Sequence, residues 1–559
     1  MNKKIEVRIR RLRDEIKQHN IDYFLIPSKD EFQNEYLPEH LNRLKFISGF
    51  TGSNGIAIIS EIDVLFFTDS RYLLQAESEL SELFIVYNIN DILEFLPKAK
   101  IGYDPKLHTP QNIKYYQKFN LAPCINLIDL IWKEEREQAP ISKAFSYPIK
   151  YAGESFDSKH SKIIEYLNSS NIDCLIITDP SNICWLLNIR ANDVPYNPLL
   201  LSYLIVFSDC RLKLFSNMEK KIGTVECFAL EEFDQHLNFL TNKKVQLDID
   251  TASIYLVNKF DSPILDKDPC TLAKSCKNKI EIAQVKKVHV ADGIALVKSL
   301  YWIENNSQGK SELDISDKLL EFRAKNKNFI YPSFATIAGF AENGAIIHYS
   351  PNKSSNKIIT NAGLLLLDSG GQYFGGTTDV TRVIPFGKAS NSQKLNFTLV
   401  LKGHIALANA KFVKNTNGAQ LDILARYYLW QNSKDYAHGT GHGVGNCLSV
   451  HEGPQRISKY SDIPLIPGMI LSNEPGYYKQ GEYGIRIENL MLVKELKSGY
   501  LEFETLTLAP IDNKLIKTNL LSEDEKKWLN NYHQKVYKKL SPFLNEKEKQ
   551  WLQLKCKKL

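Results

Sequence analysis

Short, unbroken apolar runs separated by charged, helix-spaced segments set the pattern of the first half of the chain. The opening stretch, MNKKIEVRIRRLRDEIKQHN, is charged and amphipathic, and it leads into NIDYFLIPS (20–28), an apolar run of strand length. RLKFISGFTGSNGIAIIS and VLFFTDSRYLLQA then read as two strand-like stretches divided by Gly-rich turns, and PKAKIGYDP as another short strand and turn. The order recurs. A helix, SKHSKIIEYLNSS, leads into NIDCLIITD (171–179), which echoes NIDYFLIPS. ICWLLNIRAND stands where LKFISGFTGS stood, and LIVFSDCRLKLF echoes LFFTDSRYLL, setting Asp209–Cys210–Arg211 against Asp69–Ser70–Arg71. Two copies are too few for a solenoid. The pattern predicts a duplicated α/β domain, at 1–150 and 151–275.

From Cys276 the period changes. KNKIEIAQVKKVHVADGIALVKSLYWIEN carries apolar residues at helical spacing over several turns, and SELDISDKLLEFRAK, with its Ser/Asp-rich start, predicts a second helix. Strand-like segments and Gly turns continue to about residue 505, with one helix among them around LNFTLVLKGHIALANAKF. This α+β domain spans 276–505. The tail, 506–559, predicts two amphipathic helices broken at Ser541–Pro542, the first opened by a capping box of Ser522 and Glu525. Trp528, Leu529 and Tyr532 form an apolar stripe on it, suited to packing or to a subunit interface.

Composition narrows the class. With 559 residues, 43% hydrophobic and 24% charged, the chain has material for several ordinary cores. A net charge of +6 is small for this length and argues against a dedicated nucleic-acid binder. The Lys clusters near the C-terminus read as solvated helical faces. Nine scattered cysteines without a CxxC pair read as reduced thiols. No run approaches the ~18 apolar residues of a membrane span, and the N-terminus has no apolar signal core. A cytoplasmic protein is expected.

The chemistry gathers between residues 345 and 488. Asp368 ends an apolar run, and Asp379 follows eleven residues later beyond four glycines. A hairpin folded near Tyr373 would bring these carboxylates face to face. Glu474 and Glu488 are symmetric about Gly481, and strand alternation places Arg486 and Glu488 on one face. Opposed buried carboxylates repel unless protonated or bridged by cations. His442, in HGTGHGVG, adds one imidazole. Two Asp, two Glu and one His form an oxygen-rich set that suits two divalent ions of the Mn, Co or Zn kind. Such a pair, ~3.5–4 Å apart, can activate a water and polarise a carbonyl. Singly, each residue could be a turn, cap or core group; it is the matched hairpins that point to metal. GTGHGVG lacks the Lys-Ser/Thr of a phosphate loop, and HExxH is absent.

The motifs GAIIHY, LLLDSGGQY, TTDVTR, HGTGHGVG, VHEGP, EPGYY, GIRIEN and the tail WLNNYH resemble those of the pita-bread metallopeptidases, within them the long, three-domain aminopeptidase P family. The resemblance covers nearly the whole chain. It implies two creatinase-N-like α/β domains, a pita-bread catalytic domain and a helical C-terminal extension. It implies metal ligands at Asp368, Asp379, His442, Glu474 and Glu488, with Asp379 and Glu488 bridging two ions per subunit, Mn²⁺ first and Co²⁺ or Zn²⁺ as alternatives. His348, His438 and His451 match the family's substrate-side histidines, which stabilise the polarised carbonyl. Glu474 would accept the proton of the bridging water, and Arg71 matches an arginine directed towards the far end of the peptide. The implied partners are short peptides with proline second and another copy of the chain in a homodimer, with no nucleic acid or membrane. Prolidase shares the metal set but is opposed by the duplicated N-terminal domain and the WLNNYH tail. Methionine aminopeptidase needs only the catalytic domain. Creatinase and the non-catalytic binding modules of this fold lack the ligands retained here.

Overall fold

The computed structural model describes residues 2–95, 98–218, 222–223 and 225–559. The chain forms two compact units, one of residues 1–147 and 154–271, the other of 148–153 and 272–559.

The first unit contains two six-stranded sheets. In the first, β1 (Tyr23–Pro27), β2 (Ile56–Ser60), β3 (Val64–Thr68), β4 (Ile85–Asn88), β5 (Lys100–Tyr103) and β6 (Asn120–Pro123) lie in the order β4-β3-β2-β1-β5-β6. In the second, β7 (Cys174–Ile177), β8 (Ser202–Phe207), β9 (Leu212–Ser216), β10 (Glu226–Phe228), β11 (Val245–Asp248) and β12 (Ile264–Asp266) lie in the order β10-β9-β8-β7-β11-β12. The two orders are the same, and so is every strand direction: the central meander is antiparallel and the flanking pairs are parallel. NIDYFLIPS and NIDCLIITD supply the equivalent strands β1 and β7. β7 is buried along its whole length and β1 along all but its first residue, which is why both read as unbroken apolar runs.

Two local readings are corrected. RLKFIS is a helix, Arg43–Ser48, capped by Asn42 and ended by Gly49 in the left-handed region. Its partner in the second sheet is the helix Pro180–Leu186. The Asp-x-Arg echo also occupies different places. Asp69–Ser70–Arg71 follows the third strand of its sheet, whereas Asp209–Cys210–Arg211 forms the turn between the second and third. Each arginine bonds its own aspartate, so the likeness is of a local turn. Of PKAKIGYDP, the strand is Lys100–Tyr103, and Pro97 lies outside the described residues.

The second unit is built from α1 (Lys279–Asn306), α2 (Glu312–Ala324), α3 (Asn391–Ala408), α4 (Gly418–Trp430), α5 (Glu523–Leu540) and α6 (Glu546–Lys555) around curved antiparallel strands. The helix α4 was not expected from the sequence. All six open with a capping box, among them Asn278 with Glu281, Ser311 with Asp314 and the expected Ser522 with Glu525. Each cap contributes about 1 kcal/mol. β13 (Ile337–Phe340), β14 (Gly363–Ser369) and β17 (Val380–Phe386) form one sheet, and the small hairpin β15 (Gly371–Tyr373) and β16 (Gly376–Thr377) is inserted between β14 and β17. In β14, Leu365 and Leu367 pack with Leu300 and Leu319 from α1 and α2, while Leu364 packs with Val383 on the other face. That second face continues to Asp368. The remaining sheet runs Lys411–Phe412, β24 (Leu501–Thr505), β23 (Asn489–Glu495), β20 (Ile470–Asn473), β18 (Gly441–Gly443) and β19 (Glu452–Ile457), with the hairpin β21 (Gly476–Lys479) and β22 (Tyr483–Arg486) extending from β20 and β23.

The C-terminal helices are part of this core. Leu529 is fully buried and Tyr532 nearly so, and Trp528 stacks on Tyr532 at 5.4 Å. The Trp528–Leu529–Tyr532 stripe therefore packs inside its own chain, and Leu529 has no surface left for a partner. Glu304 of α1 accepts from the Trp551 indole and from Lys514 and Lys555 at 2.7 and 3.0 Å. None of the described helices is long and apolar enough to cross a membrane.

Burial alone would raise the Glu304 carboxyl, but Lys514, Lys555 and Trp551 bring it down to about 2. A depressed carboxyl contributes stability that is present above its unfolded value and lost as pH falls through the folded one. Glu304→Gln should destabilise the protein near pH 7 by on the order of 1 kcal/mol, discounted for partial exposure, and speed amide exchange in 513–559. The gap between wild type and variant should close as pH falls from about 4 towards 2, read by hydrogen exchange and denaturant melts.

Candidate metal centre

Two antiparallel junctions deliver the four carboxylates. In the first, β14 pairs with β17 with Asp368 opposite Thr381 and Ser369 opposite Val380. The hairpin continues through β15 and β16, with Tyr373 opposite Gly376. The turn thus falls where expected, but Asp379 is not the cross-strand partner of Asp368: it sits two residues before Thr381. Because side chains alternate with a period of two, a two-residue offset keeps Asp379 on the face of Asp368. In the second junction, Asn473 pairs with Asn489 at the end of one ladder and Gly476 with Arg486 at the start of the next. Glu474 and Glu488 stand opposite one another in the gap, as the symmetry about Gly481 requires. Gly481 itself has φ +72°, a turn conformation that glycine adopts without strain.

His442 lies on β18. Its Nδ1 donates to the Gly443 carbonyl at 2.9 Å, which leaves Nε2 as the lone-pair nitrogen, 3.4 Å from Asp379 Oδ2 and 3.5 Å from Glu474 Oε1. Donor atoms of Asp379, His442 and Glu488 all fall within 4.8 Å of one another. Glu474 Oε1 accepts from the Ser472 hydroxyl, which in turn accepts from the His442 amide. Asp368 completes the group through Arg486, whose Nη2 donates to Asp368 Oδ2 at 2.5 Å. The other Asp368 oxygen, Oδ1, is buried without a hydrogen-bond donor.

The electrostatics of this arrangement are adverse. Asp379 and Glu488 are 4% and 1% exposed. Burial first, and then neighbouring carboxylates, push both well above the usual carboxylate range, and Glu474 is raised for the same reason against the pull of His442 and Arg486. A closely spaced, oxygen-rich donor set with one imidazole, an orphaned carboxylate oxygen and a surplus of buried negative charge fits hard or borderline divalent cations. All five expected ligand residues are brought together.

The three further histidines expected at the site, His348, His438 and His451, are partly exposed. His438 Nδ1 donates to the Gly439 carbonyl at 2.7 Å and its Nε2 accepts from the Tyr478 hydroxyl at 2.9 Å. Tyr478 accepts from Arg486 Nη1 at 2.6 Å. His451 meets the His442 ring edge-on at 4.3 Å between centroids. His348 follows the short helical turn Ala341–Ala345, and the adjacent Ile347 carbonyl accepts from Arg486 Nη2 at 3.4 Å. Arg71 belongs to the other unit, bonded twice to Asp69 at 2.8 Å and set over the Tyr72 ring.

Sequence reasoning placed Arg486 on the face of Glu488 but missed its role. Its guanidinium reaches Asp368, Tyr478 and, through Nε, Thr381 Oγ1, which donates to Glu488 Oε2 at 2.8 Å. Tyr478 was missed altogether. Nothing in EPGYY distinguishes it from Tyr477 until strand pairing assigns the faces.

The comparisons with known proteins agree along the whole chain. The model of metallopeptidase family M24 matches residues 283–495, and that of the C-terminal region of peptidase M24 matches 499–559. Creatinase/prolidase N-terminal domain models match 8–131 and 135–281. A probable Xaa-Pro aminopeptidase P from Laccaria bicolor is 37% identical, over 99% of this chain and 93% of its own. The chain belongs to metallopeptidase family M24. Within M24, a second probable Xaa-Pro aminopeptidase P, from Aspergillus flavus, is 36% identical over 98% of this chain and 91% of its own. The X-prolyl aminopeptidase of Caenorhabditis elegans, described as a cytosolic enzyme with a di-nuclear active site, superposes with a TM-score of 0.93 at 31% identity, covering 99% of this chain and 100% of that one. The prolidase of Thermococcus sibiricus shares the fold at TM-score 0.53 and 23% identity, and 98% of it is matched by 64% of this M24 chain.

In metal-free protein the raised carboxyls bind more protons folded than unfolded, so their contribution to stability falls as pH climbs through the raised values. Thermal melts in chelator between pH 5 and 8 should show this fall. Asp379→Asn should flatten it and raise the metal-free melting temperature, while Mn²⁺ should stabilise the wild type and not the variant.

Proposed function

We propose that this chain is a metal-dependent aminopeptidase that hydrolyses the bond between the N-terminal residue and a following proline. The observation that carries the reading is the intact Asp-Asp-His-Glu-Glu set in a chain matched end to end by aminopeptidase P relatives. Asp368, Asp379, His442, Glu474 and Glu488 would hold two divalent cations, Mn²⁺ by preference, with Asp379 and Glu488 shared. The division of the chain at about 150, 275 and 505 belongs to the same reading, as do a cytoplasmic location and a homodimer.

Bound there, the cations supply Lewis acidity towards the scissile carbonyl and lower the pKa of a water. The protein's own groups do the rest. Glu474 is 16% exposed and accepts a hydrogen bond from Ser472, which orients its carboxylate to take a proton from the water and pass it on. His348 and His451 would donate hydrogen bonds to the oxygen on which charge develops, and His438, whose ring nitrogens are engaged by Gly439 and Tyr478, would line the substrate site beside them. None of these contacts needs an amide N–H on the leaving side. The Xaa-Pro bond, a tertiary amide without that proton, is therefore open to attack here. Arg71 would address the distal part of the peptide.

Prolidase is the second reading, favoured by the shared fold and disfavoured by the third of this chain that the prolidase leaves unmatched. Metal-stripped protein given back Mn²⁺ should release arginine from Arg-Pro-Pro and cut Arg-Pro poorly; the reverse preference would make it a prolidase. His438→Ala keeps all five donors and should lower kcat/KM by ~10²-fold at unchanged metal content by elemental analysis. Sedimentation at micromolar concentration should give a dimer of the 64.0 kDa chain, and a monomer there would overturn the homodimer.

A further inference from the structure

Each of the three substrate-side histidines rides on a loop that is held from behind by buried charge. Arg426 donates to the carbonyls of Tyr436 and His438, both at 2.7 Å. Glu452, next to His451, is fully buried against Lys277. Behind His348 stands Glu312, the first residue of α2 and 0% exposed. Its carboxylate accepts from the Phe340 amide at 2.7 Å, the Asn343 side chain at 3.0 Å, the Tyr349 hydroxyl at 2.7 Å and the Lys357 amide at 3.0 Å.

These four donors bracket the whole segment from the end of β13 to residue 357. Tyr349 is the neighbour of His348, and on the other side Arg486 ties Ile347 to Asp368. A single carboxylate thus sets the distance between the His348 backbone and the carboxylate site. We infer that Glu312 is a positioning residue for His348, acting on substrate through that histidine while touching neither substrate nor metal. A carboxylate is the side chain the place demands, since its lone pairs can serve all four donors. A glutamine would turn one oxygen into a donor facing other donors.

The inference rests on the substrate-side role of His348, and the test separates the two. In the full-length, Mn²⁺-loaded enzyme, Glu312→Gln, His348→Ala and the double variant are assayed on Arg-Pro-Pro, with metal content and melting temperature followed in each. Misplacement of a contact group by about 1 Å can cost ~10²-fold, so Glu312→Gln should lower kcat/KM by at least ~10-fold at unchanged metal content. In the His348→Ala background the same substitution should change it by less than ~3-fold. Equal losses in both backgrounds, or no loss in the wild-type background, would overturn the positioning role. No effect of His348→Ala itself would instead remove the histidine's assignment. Should Glu312→Gln fail to fold, Tyr349→Phe removes one of the four donors and keeps the ring. Its smaller loss should likewise vanish without His348, and persistence there would count against the inference.

Discussion

Four carboxylates held within reach of one another in a buried site form the constraint from which the rest of the catalytic unit follows. Taking even one such charge out of water costs several kcal/mol, and here the neighbours repel as well. Asp379 and Glu488 respond by holding protons far more tightly than free carboxylic acids do. Arg486, bonded to Asp368 and facing the others, offsets part of the charge. Divalent cations would offset the remainder. The fold is thus under electrostatic tension that metal relieves, and the same tension makes the site selective for cations over neutral ligands.

Such a site survives only on a backbone that cannot relax away from it. Both carboxylate pairs sit on or beside paired strands, and both junctions are backed by apolar layers. Beneath Glu488 lies a second buried guanidinium, Arg382. It donates to the carbonyls of Glu488 at 2.6 Å and Ala509 at 2.9 Å, and to the hydroxyl of Tyr532 at 2.8 Å. Arg382 meets carbonyls and a hydroxyl, and burial lowers its pKa. Through it the C-terminal helix α5 is joined to the strand that presents a metal donor. The extension is therefore structural support for the centre, which explains why its apolar stripe faces inwards.

Much of this could be read in the sequence where a short-range rule governs it. The mirror placement of Glu474 and Glu488 about Gly481 became a register in which they stand opposite one another, because antiparallel pairing preserves such symmetry. The duplicated α/β domain was legible from two apolar runs and proved to share strand order and direction throughout. Most of what failed had no short-range signature, the caps of RLKFIS being the exception. Asp379 sits two residues out of register with Asp368 because a second hairpin is inserted between them. RLKFIS has strand-like composition, yet Asn42 and Gly49 cap it as a helix. Asp209–Cys210–Arg211 matches Asp69–Ser70–Arg71 in letters but lies in a different turn. The roles of Tyr478, Arg382 and Glu312 depend on contacts across at least eight and as many as 150 positions, which only the tertiary fold supplies.

The unit divides its work between two kinds of backbone. The proposed metal donors stand on or beside paired strands, where their spacing is fixed. The histidines proposed to meet the substrate stand on loops, where shape can adapt to a proline ring and to the residue before it. A loop alone would leave an imidazole too free to stabilise charge at a defined point. The structure answers with buried, paired or hydrogen-bonded polar side chains: Glu312, Arg426 and the Lys277–Glu452 pair. Buried charges of this kind are poor sources of stability, so their place behind all three histidine loops is better explained by the geometry they impose. In that sense the substrate site and the metal site solve the same problem, with strands holding like charges together in one and isolated charges holding loops still in the other.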